Sequence, residues 1–180
     1  MDLEKLKYPL GHYHYEKPSE ETWNQWIEHI ESMPSKLTKL VSSLSFDAME
    51  RTYRPGGWNV KQIVHHFADS HINAFARFKI VLTEESPTIR TYRQTAWAER
   101  EDASNEEITD SLDLLSGLHK RWAVLLKTLK PQEKDRKFIH PEYEGERHLE
   151  WLTGLYAWHC RHHLAHIKLA IEKESKKESK

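Results

Sequence analysis

The chain has 180 residues, the length of one ordinary domain, and its 27 basic and 28 acidic residues leave no net basic charge for binding nucleic acid. One cysteine excludes an intramolecular disulfide and fits a reducing compartment, and six glycines without a phosphate-binding pattern argue against a nucleotide enzyme. No apolar stretch is long enough for a signal-peptide core or a membrane span, so we expect a single cytoplasmic domain over residues 1–180 with no membrane partner.

The chain opens with a segment that has no helical periodicity. Residues 1–18 contain prolines, a glycine and several tyrosines, which predicts an extended N-terminal arm that packs on another surface. The first helix should span about 19–44, because apolar residues then recur every three or four positions. Pro34 lies inside this pattern, so we expect a kink or a break near Met33.

The second helix has the clearest start signal. It follows a turn at Pro55-Gly56-Gly57, and Asn59 can cap it while the side chain of Gln62 reaches back as in a capping box. Apolar residues then recur with helical spacing over 60–82, and Pro87 bounds the far end.

Two further helices are predicted over about 106–129 and 149–173 by the same spacing of apolar residues. The segments 84–105 and 131–148 are then long connections, which often carry function or pack over an end of the core. The charged residues 174–180 predict a frayed C-terminal tail. Four helices of roughly 20 residues predict an all-α fold, an up-and-down or crossover four-helix bundle.

Histidines interrupt the apolar face of the fourth predicted helix. His159 and His163 are four residues apart, so their rings lie on one helix face and can share a divalent cation. Two ligands do not make a tight site, and a third must come from another helix. The second helix offers His65, His66 and His71.

The same histidines also have a purely structural interpretation. A histidine on an apolar face is commonly a core residue with an ordinary hydrogen-bond partner. His162 and His166 form a second pair with the same spacing, so spacing alone does not decide which pair faces the interior. The six other histidines have no spacing that suggests a role: His12, His14, His29, His119, His140 and His148.

Several short runs follow one another in a distinctive order over nearly the whole chain. They include Tyr8-Pro9-Leu10-Gly11, Gly56-Gly57-Trp58-Asn59-Val60-Lys61-Gln62, His65-His66-Phe67-Ala68-Asp69-Ser70-His71 and Tyr156-Ala157-Trp158-His159. In these runs the chain resembles the YfiT-like metal-dependent hydrolases of the DinB-like four-helix group. The resemblance implies a bundle that holds one divalent ion, zinc or nickel, on His66, His159 and His163, in a homodimer.

Three neutral histidines would leave at least one coordination position open, as in catalytic zinc sites. An ion held this way lowers the pKa of a bound water toward about 7 and so suits hydrolysis of a small-molecule substrate. The same position could instead hold a low-molecular-weight thiol, as in the related DinB-like thiol S-transferases. A non-catalytic metal-binding dimer is a third possibility.

Other residues near these histidines have weaker signals. Asp69 lies three residues after His66 and could orient this ligand or a bound water, although we favour a surface carboxylate. Cys160 should point about 100° away from its neighbour His159 on the helix, which favours burial without chemistry. Trp58 and Trp158 flank the predicted site in sequence and could form its walls.

Overall fold

The computed structural model describes residues 2–104 and 107–172, so the tail expected at 174–180 lies outside the described residues. In chain order the elements are α1 (Leu3–Lys7), α2 (Glu20–Val41), α3 (Phe46–Met49), α4 (Val60–Thr83), α5 (Gln94–Ala98), α6 (Glu101–Ser104), α7 (Thr109–Lys127), α8 (Pro131–Lys134), β1 (Lys137–Ile139), β2 (Glu146–His148) and α9 (Leu149–Glu172).

The four long helices, α2, α4, α7 and α9, form the predicted bundle. Helix α2 packs against α7 and α9, and both of these also pack against α4. The consecutive long helices α2 and α4 therefore occupy opposite corners of the bundle, with α7 and α9 between them. A short antiparallel hairpin, β1–β2, pairs Lys137 with His148 just before α9 begins. The prediction of an all-α four-helix bundle is thus confirmed apart from this hairpin.

Helix α2 differs from its prediction in two respects. It runs without a break through Pro34, and it ends at Val41 rather than near residue 44. Proline has no N–H to donate to the carbonyl four residues earlier, which is that of Ile30. This carbonyl instead lies 2.6 Å from Nδ1 of His119 on α7. The lost helix hydrogen bond is replaced across the bundle, so the helix continues.

The start of α4 agrees with its prediction. The side chain of Asn59 accepts a hydrogen bond from the backbone N–H of Gln62, whose own side chain accepts from the N–H of Asn59. Helix α7 begins at Thr109 and ends at Lys127, inside the predicted span of 106–129, and residue 106 itself lies outside the described residues. The long connections are more ordered than expected, since 84–104 includes α5 and α6 and 131–148 includes α8 and the hairpin.

The N-terminal arm is not extended throughout, because Asp2 caps the short helix α1. The rest of the arm lies along the chain's own α9. The hydroxyl of Tyr13 donates to the carbonyl of Trp151 at 3.1 Å, and that of Tyr15 donates to the carboxylate of Glu150 at 2.6 Å. The surface on which the arm packs is therefore the chain's own bundle, and the homodimer implied by the resemblance stays a prediction.

The core combines apolar side chains with an unusual number of buried histidines. Trp122, Phe67 and Phe78 are among the largest side chains that are fully buried. Within the same interior, these histidines are also buried: His65, His66, His71, His119, His162, His163 and His166. Among the described helices, none is long and apolar enough to cross a membrane.

Candidate metal centre

Helices α4 and α9 bring three histidine rings together inside the bundle. One ring nitrogen from each of His66, His159 and His163 lies within 4.8 Å of the others. The Nε2 atoms of His66 and His159 are 3.2 Å apart. Nitrogen ligands at 2.0–2.1 Å from a tetrahedral ion are about 3.3 Å from one another. The three side chains therefore converge as ligands of one divalent ion must.

Burial keeps these rings neutral, which metal ligation requires. It lowers the pKa of His66 to about 3, with the charges of His162 and His166 adding to the effect. Burial and neighbouring histidines also hold the pKa values of His159 and His163 well below the usual 6.5. Each ring therefore has one unprotonated nitrogen at neutral pH.

A chain of hydrogen bonds fixes which nitrogen of His159 is unprotonated. Its Nδ1 lies 3.2 Å from Nε2 of His71, whose Nδ1 lies 2.8 Å from Nε2 of His119. The chain ends where Nδ1 of His119 meets the carbonyl of Ile30, which can only accept. The neutral rings of His119, then His71 and then His159 must therefore each carry their proton on Nδ1 and donate it to the next acceptor. This leaves Nε2 of His159 with a lone pair facing His66.

A shorter chain supports His163 in the same way. Nε2 of His166 lies 3.0 Å from the carbonyl of Lys7, so it carries the proton, and Nδ1 of His166 accepts from Nδ1 of His163 at 3.3 Å. Nε2 of His163 is then unprotonated. His162, His163 and His166 also lie close enough to hold an ion, all three on α9. In that second trio, however, Nε2 of His166 is already engaged by the arm.

Two of the three histidines line a cavity of about 610 Å³ that opens to solvent, and His66 lies behind them. His159 and His163 line it, together with both tryptophans that the sequence places beside the site, Trp58 and Trp158. The ring of Trp58 packs 4.6 Å from that of His66. An ion held by these ligands would thus face a space that admits a small molecule.

Comparison with known proteins identifies the family. The model of the DinB superfamily matches residues 29–167 of the chain. The chain belongs to the DinB superfamily. This agrees with the resemblance noted in the sequence.

Relatives and a solved structure of this superfamily are similar over almost the whole chain. A protein of Bacillus cereus strain B4264, named "Putative metal-dependent hydrolase", is 46% identical over 92% of this chain and 95% of its own length. A Bacillus anthracis protein with that name is 45% identical over the same shares. The solved structure is that of YfiT from Bacillus subtilis, described as a probable metal-dependent hydrolase with an unusual four-helix bundle topology. It superposes on this chain with a TM-score of 0.91 at 43% sequence identity, and the match covers 95% of this chain and 98% of YfiT.

In this DinB-superfamily chain, Asp69 and Cys160 lie apart from the converging nitrogens. Asp69 is half-buried, and burial together with the charge of Asp102 raises its pKa to about 6. It is not among the residues that line the cavity, and no hydrogen bond joins it to His66 in the described structure. Cys160 is buried, and burial raises the pKa of its thiol, so the thiol stays protonated.

Sequence inspection missed His119 and the supporting roles of His71 and His166. His119 occupies a position in the buried stripe of α7 that includes Leu115 and Trp122. A histidine at such a position signals a buried polar partner, because an unpaired ring in the core is costly. The partner itself depends on how α7 packs against α4, which no local pattern reveals.

Proposed function

We propose that this protein is a hydrolase that binds one divalent ion, zinc or nickel, on His66, His159 and His163 and acts on a small molecule in the adjoining cavity. The observation that carries the proposal is the convergence of three neutral ring nitrogens beside that cavity. The names of the Bacillus relatives and the description of YfiT support the reaction class.

In this site a bound ion and the side chains around it would have separate roles. A divalent ion on three neutral ligands keeps its full charge, acts as a Lewis acid and lowers the pKa of a water or thiol that it binds. The chain supplies the orientation of the ligands through His71 and His166. Trp58 and Trp158 line the cavity beside the ligands.

One observation favours thiol transfer as a second candidate. Hydrolysis commonly uses a carboxylate or histidine as a general base. Outside the proposed ligands the cavity offers His140, His162 and His166, but few carboxylates. Within the described part of the chain, Glu142 is the single carboxylate residue that lines the cavity. Its backbone N–H donates to Nδ1 of His140. Transfer of a low-molecular-weight thiol needs no such base once the thiol is held as a thiolate.

Metal analysis of purified variants tests the ligand set. Wild-type protein should hold about one zinc or nickel ion per chain, and His163→Ala should lose most of it because two imidazoles bind far less tightly than three. His12→Ala is the control, since His12 is exposed. Equal metal content in both variants would refute the site. Loss of metal in His162→Ala but not in His66→Ala would assign the ion to the second trio.

Changing the nucleophile distinguishes the two reactions. A hydrolase should turn over an activated ester or amide, lose this activity with a chelator and regain it with zinc or nickel. A thiol transferase should be nearly inert towards water but accelerate attack of a small thiol on an electrophile. Full metal occupancy with neither activity would leave a non-catalytic metal-binding protein.

We also propose that the protein works as a homodimer in the cytoplasm. The homodimer is supported by the resemblance to the YfiT-like proteins. The cytoplasmic location is supported by the lack of any intramolecular disulfide, since the chain has one cysteine, Cys160, which is buried.

A further inference from the structure

Arg77 on α4 is a buried positive charge without a negative partner. Its side chain is 9% exposed, and no carboxylate of the described residues lies within 4.0 Å of it. Its hydrogen bonds go to neutral groups: Nε and Nη2 donate to the carbonyl of Arg90, and Nη1 donates to the hydroxyl of Tyr156. A buried charge is costly unless an opposite charge compensates it.

The guanidinium retains two donors that these bonds do not use. An arginine head has five N–H groups, and the three hydrogen bonds engage three of them. One N–H therefore remains on each of the two terminal nitrogens. Two donors on adjacent terminal nitrogens match the two oxygens of a carboxylate.

Arg77 faces the same cavity as the candidate metal ligands. Ser70 and Arg77 line the cavity from α4, four and eleven residues beyond His66 and so on a similar face of the helix. On the opposite wall, the hydroxyl of Tyr156 binds Arg77 while its ring lies 5.8 Å from that of His159. One tyrosine thus separates the guanidinium from a candidate ligand.

Tyr92 supplies a second donor at the same place. Its hydroxyl is buried and makes no hydrogen bond within 3.5 Å to the described residues. Burial raises the pKa of Tyr92, the nearby groups of Tyr156 and Asp69 add to the rise, and Ser70 and the charge of Arg77 only partly oppose it. The phenol is therefore protonated at neutral pH and can donate.

Charged residues at the cavity are mainly positive. Lys7, Arg54 and Arg77 line it, against the single acid Glu142 among the described residues. Asp69, also on α4, forms no ion pair with Arg77, since no carboxylate of the described residues lies within 4.0 Å of the guanidinium. The compensating charge must then come from what the cavity binds.

We propose that the cavity binds a small molecule carrying a carboxylate, which Arg77 and Tyr92 hold while its reacting group lies at His66, His159 and His163. This inference rests on the proposed function and narrows it to one substrate class. Because Arg77 is largely buried, its hydrogen bonds to a carboxylate should contribute about 10- to 100-fold in affinity over a neutral group.

Paired probes test the proposal on the zinc-loaded protein. The probes are ω-mercaptocarboxylates of two to six carbons and the ω-mercaptoalcohols of matching length, titrated by calorimetry; the thiol binds the ion and the other end reaches towards Arg77. We expect at least one carboxylate to bind at least about 10-fold more tightly than its alcohol. The best chain length then reports the separation of the two subsites.

Variants of Arg77 test whether this residue causes the preference for the carboxylate over the alcohol. Arg77→Met should abolish the preference and Arg77→Lys should keep part of it, both with zinc content unchanged. Arg136→Gln is the matched control, because Arg136 also donates to backbone carbonyls at the end of α4, those of Val81 and Glu84, but does not line the cavity. It should retain the full preference.

The outcomes separate this inference from the proposed function. Wild-type protein that binds zinc but shows no carboxylate preference at any length, or no binding of the carboxylates, overturns the anion site and leaves the metal site intact. This comparison needs no variant, so misfolding of Arg77→Met would not obscure it. A preference that survives in Arg77→Met also overturns the proposal. Wild-type protein that binds neither zinc nor nickel refutes the proposed function, and the anion site with it.

Discussion

Replacing His71 with phenylalanine should weaken metal binding although His71 is not a proposed ligand. The ring of His71 is fully buried, and its Nε2 accepts a hydrogen bond from Nδ1 of His159 at 3.2 Å. Phenylalanine keeps a planar ring but offers no acceptor. His159 would then be free to rotate or to change tautomer, and Nε2 would no longer be held towards His66.

The expected effects are large enough to measure separately. Loss of a hydrogen-bond partner behind a ligating histidine typically costs 10- to 100-fold in metal affinity, which is about 1.4–2.8 kcal/mol. The variant also leaves Nδ1 of His159 and Nε2 of His119 without the partner that His71 provided. At about 1–3 kcal/mol for each buried unpaired group, the metal-free protein should lose roughly 2–6 kcal/mol of unfolding free energy.

Zinc competition with a chromophoric chelator measures the affinity, and urea unfolding of the metal-free protein measures the stability. His65→Phe is the matched control, because His65 is buried on the same helix but its Nδ1 lies 2.8 Å from the hydroxyl of Ser111 on α7. The control should lose stability and keep its zinc affinity. An unchanged zinc affinity in His71→Phe, or an equal loss in His65→Phe, would refute the supporting role of His71.

Three further outcomes are expected. Gly154→Ala should lower the unfolding free energy measured in urea by about 1–3 kcal/mol, because the added Cβ would collide with the Tyr13 hydroxyl and lie 2.8 Å from the Trp26 ring. Gly117→Ala is the control and should be neutral or stabilising, because no atom lies within 4 Å of its added Cβ. Burial lowers the pKa of His66 to about 3 and of His119 to about 4, so on acidification the unfolded chain takes up protons first. The unfolding free energy of the metal-free protein should therefore be highest above pH 6.5 and fall below it by about 1.4 kcal/mol per pH unit for each such histidine. An unfolding free energy that is flat from pH 7 to 5 would contradict this. Light scattering should give the mass of two 21.4 kDa chains, and a monomer at micromolar concentration would refute the homodimer.

The long helices could be predicted because their signals are local. The spacing of apolar residues and the pair Asn59 and Gln62 act within one or two turns, so the start of α4 is correct to the residue. The continuity of α2 could not be predicted in this way. Whether Pro34 breaks the helix depends on whether another group satisfies the carbonyl of Ile30, and that group, His119, is 89 residues away in the chain.

The order within the long connections also depends on distant contacts. The segment after α4 is held by backbone bonds between Ile89 and Ile139 and between Ile139 and Pro87. Elements of three to five residues are not stable alone, and they form because such contacts hold them. Each of these short elements contains too few residues for a periodic pattern of apolar side chains to be recognised.

The candidate site could be predicted only in part, for a similar reason. The spacing of His159 and His163 places both on one face of α9, as the structure shows. The choice of His66 over His65 and His71 required the resemblance, since the three lie within six residues on one helix. In the structure His71 also points towards His159, but as a hydrogen-bond partner, and this distinction depends on where α7 places His119.

The positive charges at the cavity determine which charge a molecule bound there should carry. The proposed ligands are neutral, and the supporting chains end on the carbonyls of Ile30 and Lys7 rather than on carboxylates. Nothing in these chains offsets the 2+ charge of a bound ion. Arg77 adds a further positive charge that its carbonyl and hydroxyl partners solvate but do not neutralise. A neutral molecule would leave both charges uncompensated in a partly dry cavity, where their cost is greatest. An ionised nucleophile at the ion and a carboxylate at Arg77 would compensate each charge where it lies, and this requirement applies equally to hydrolysis and to thiol transfer.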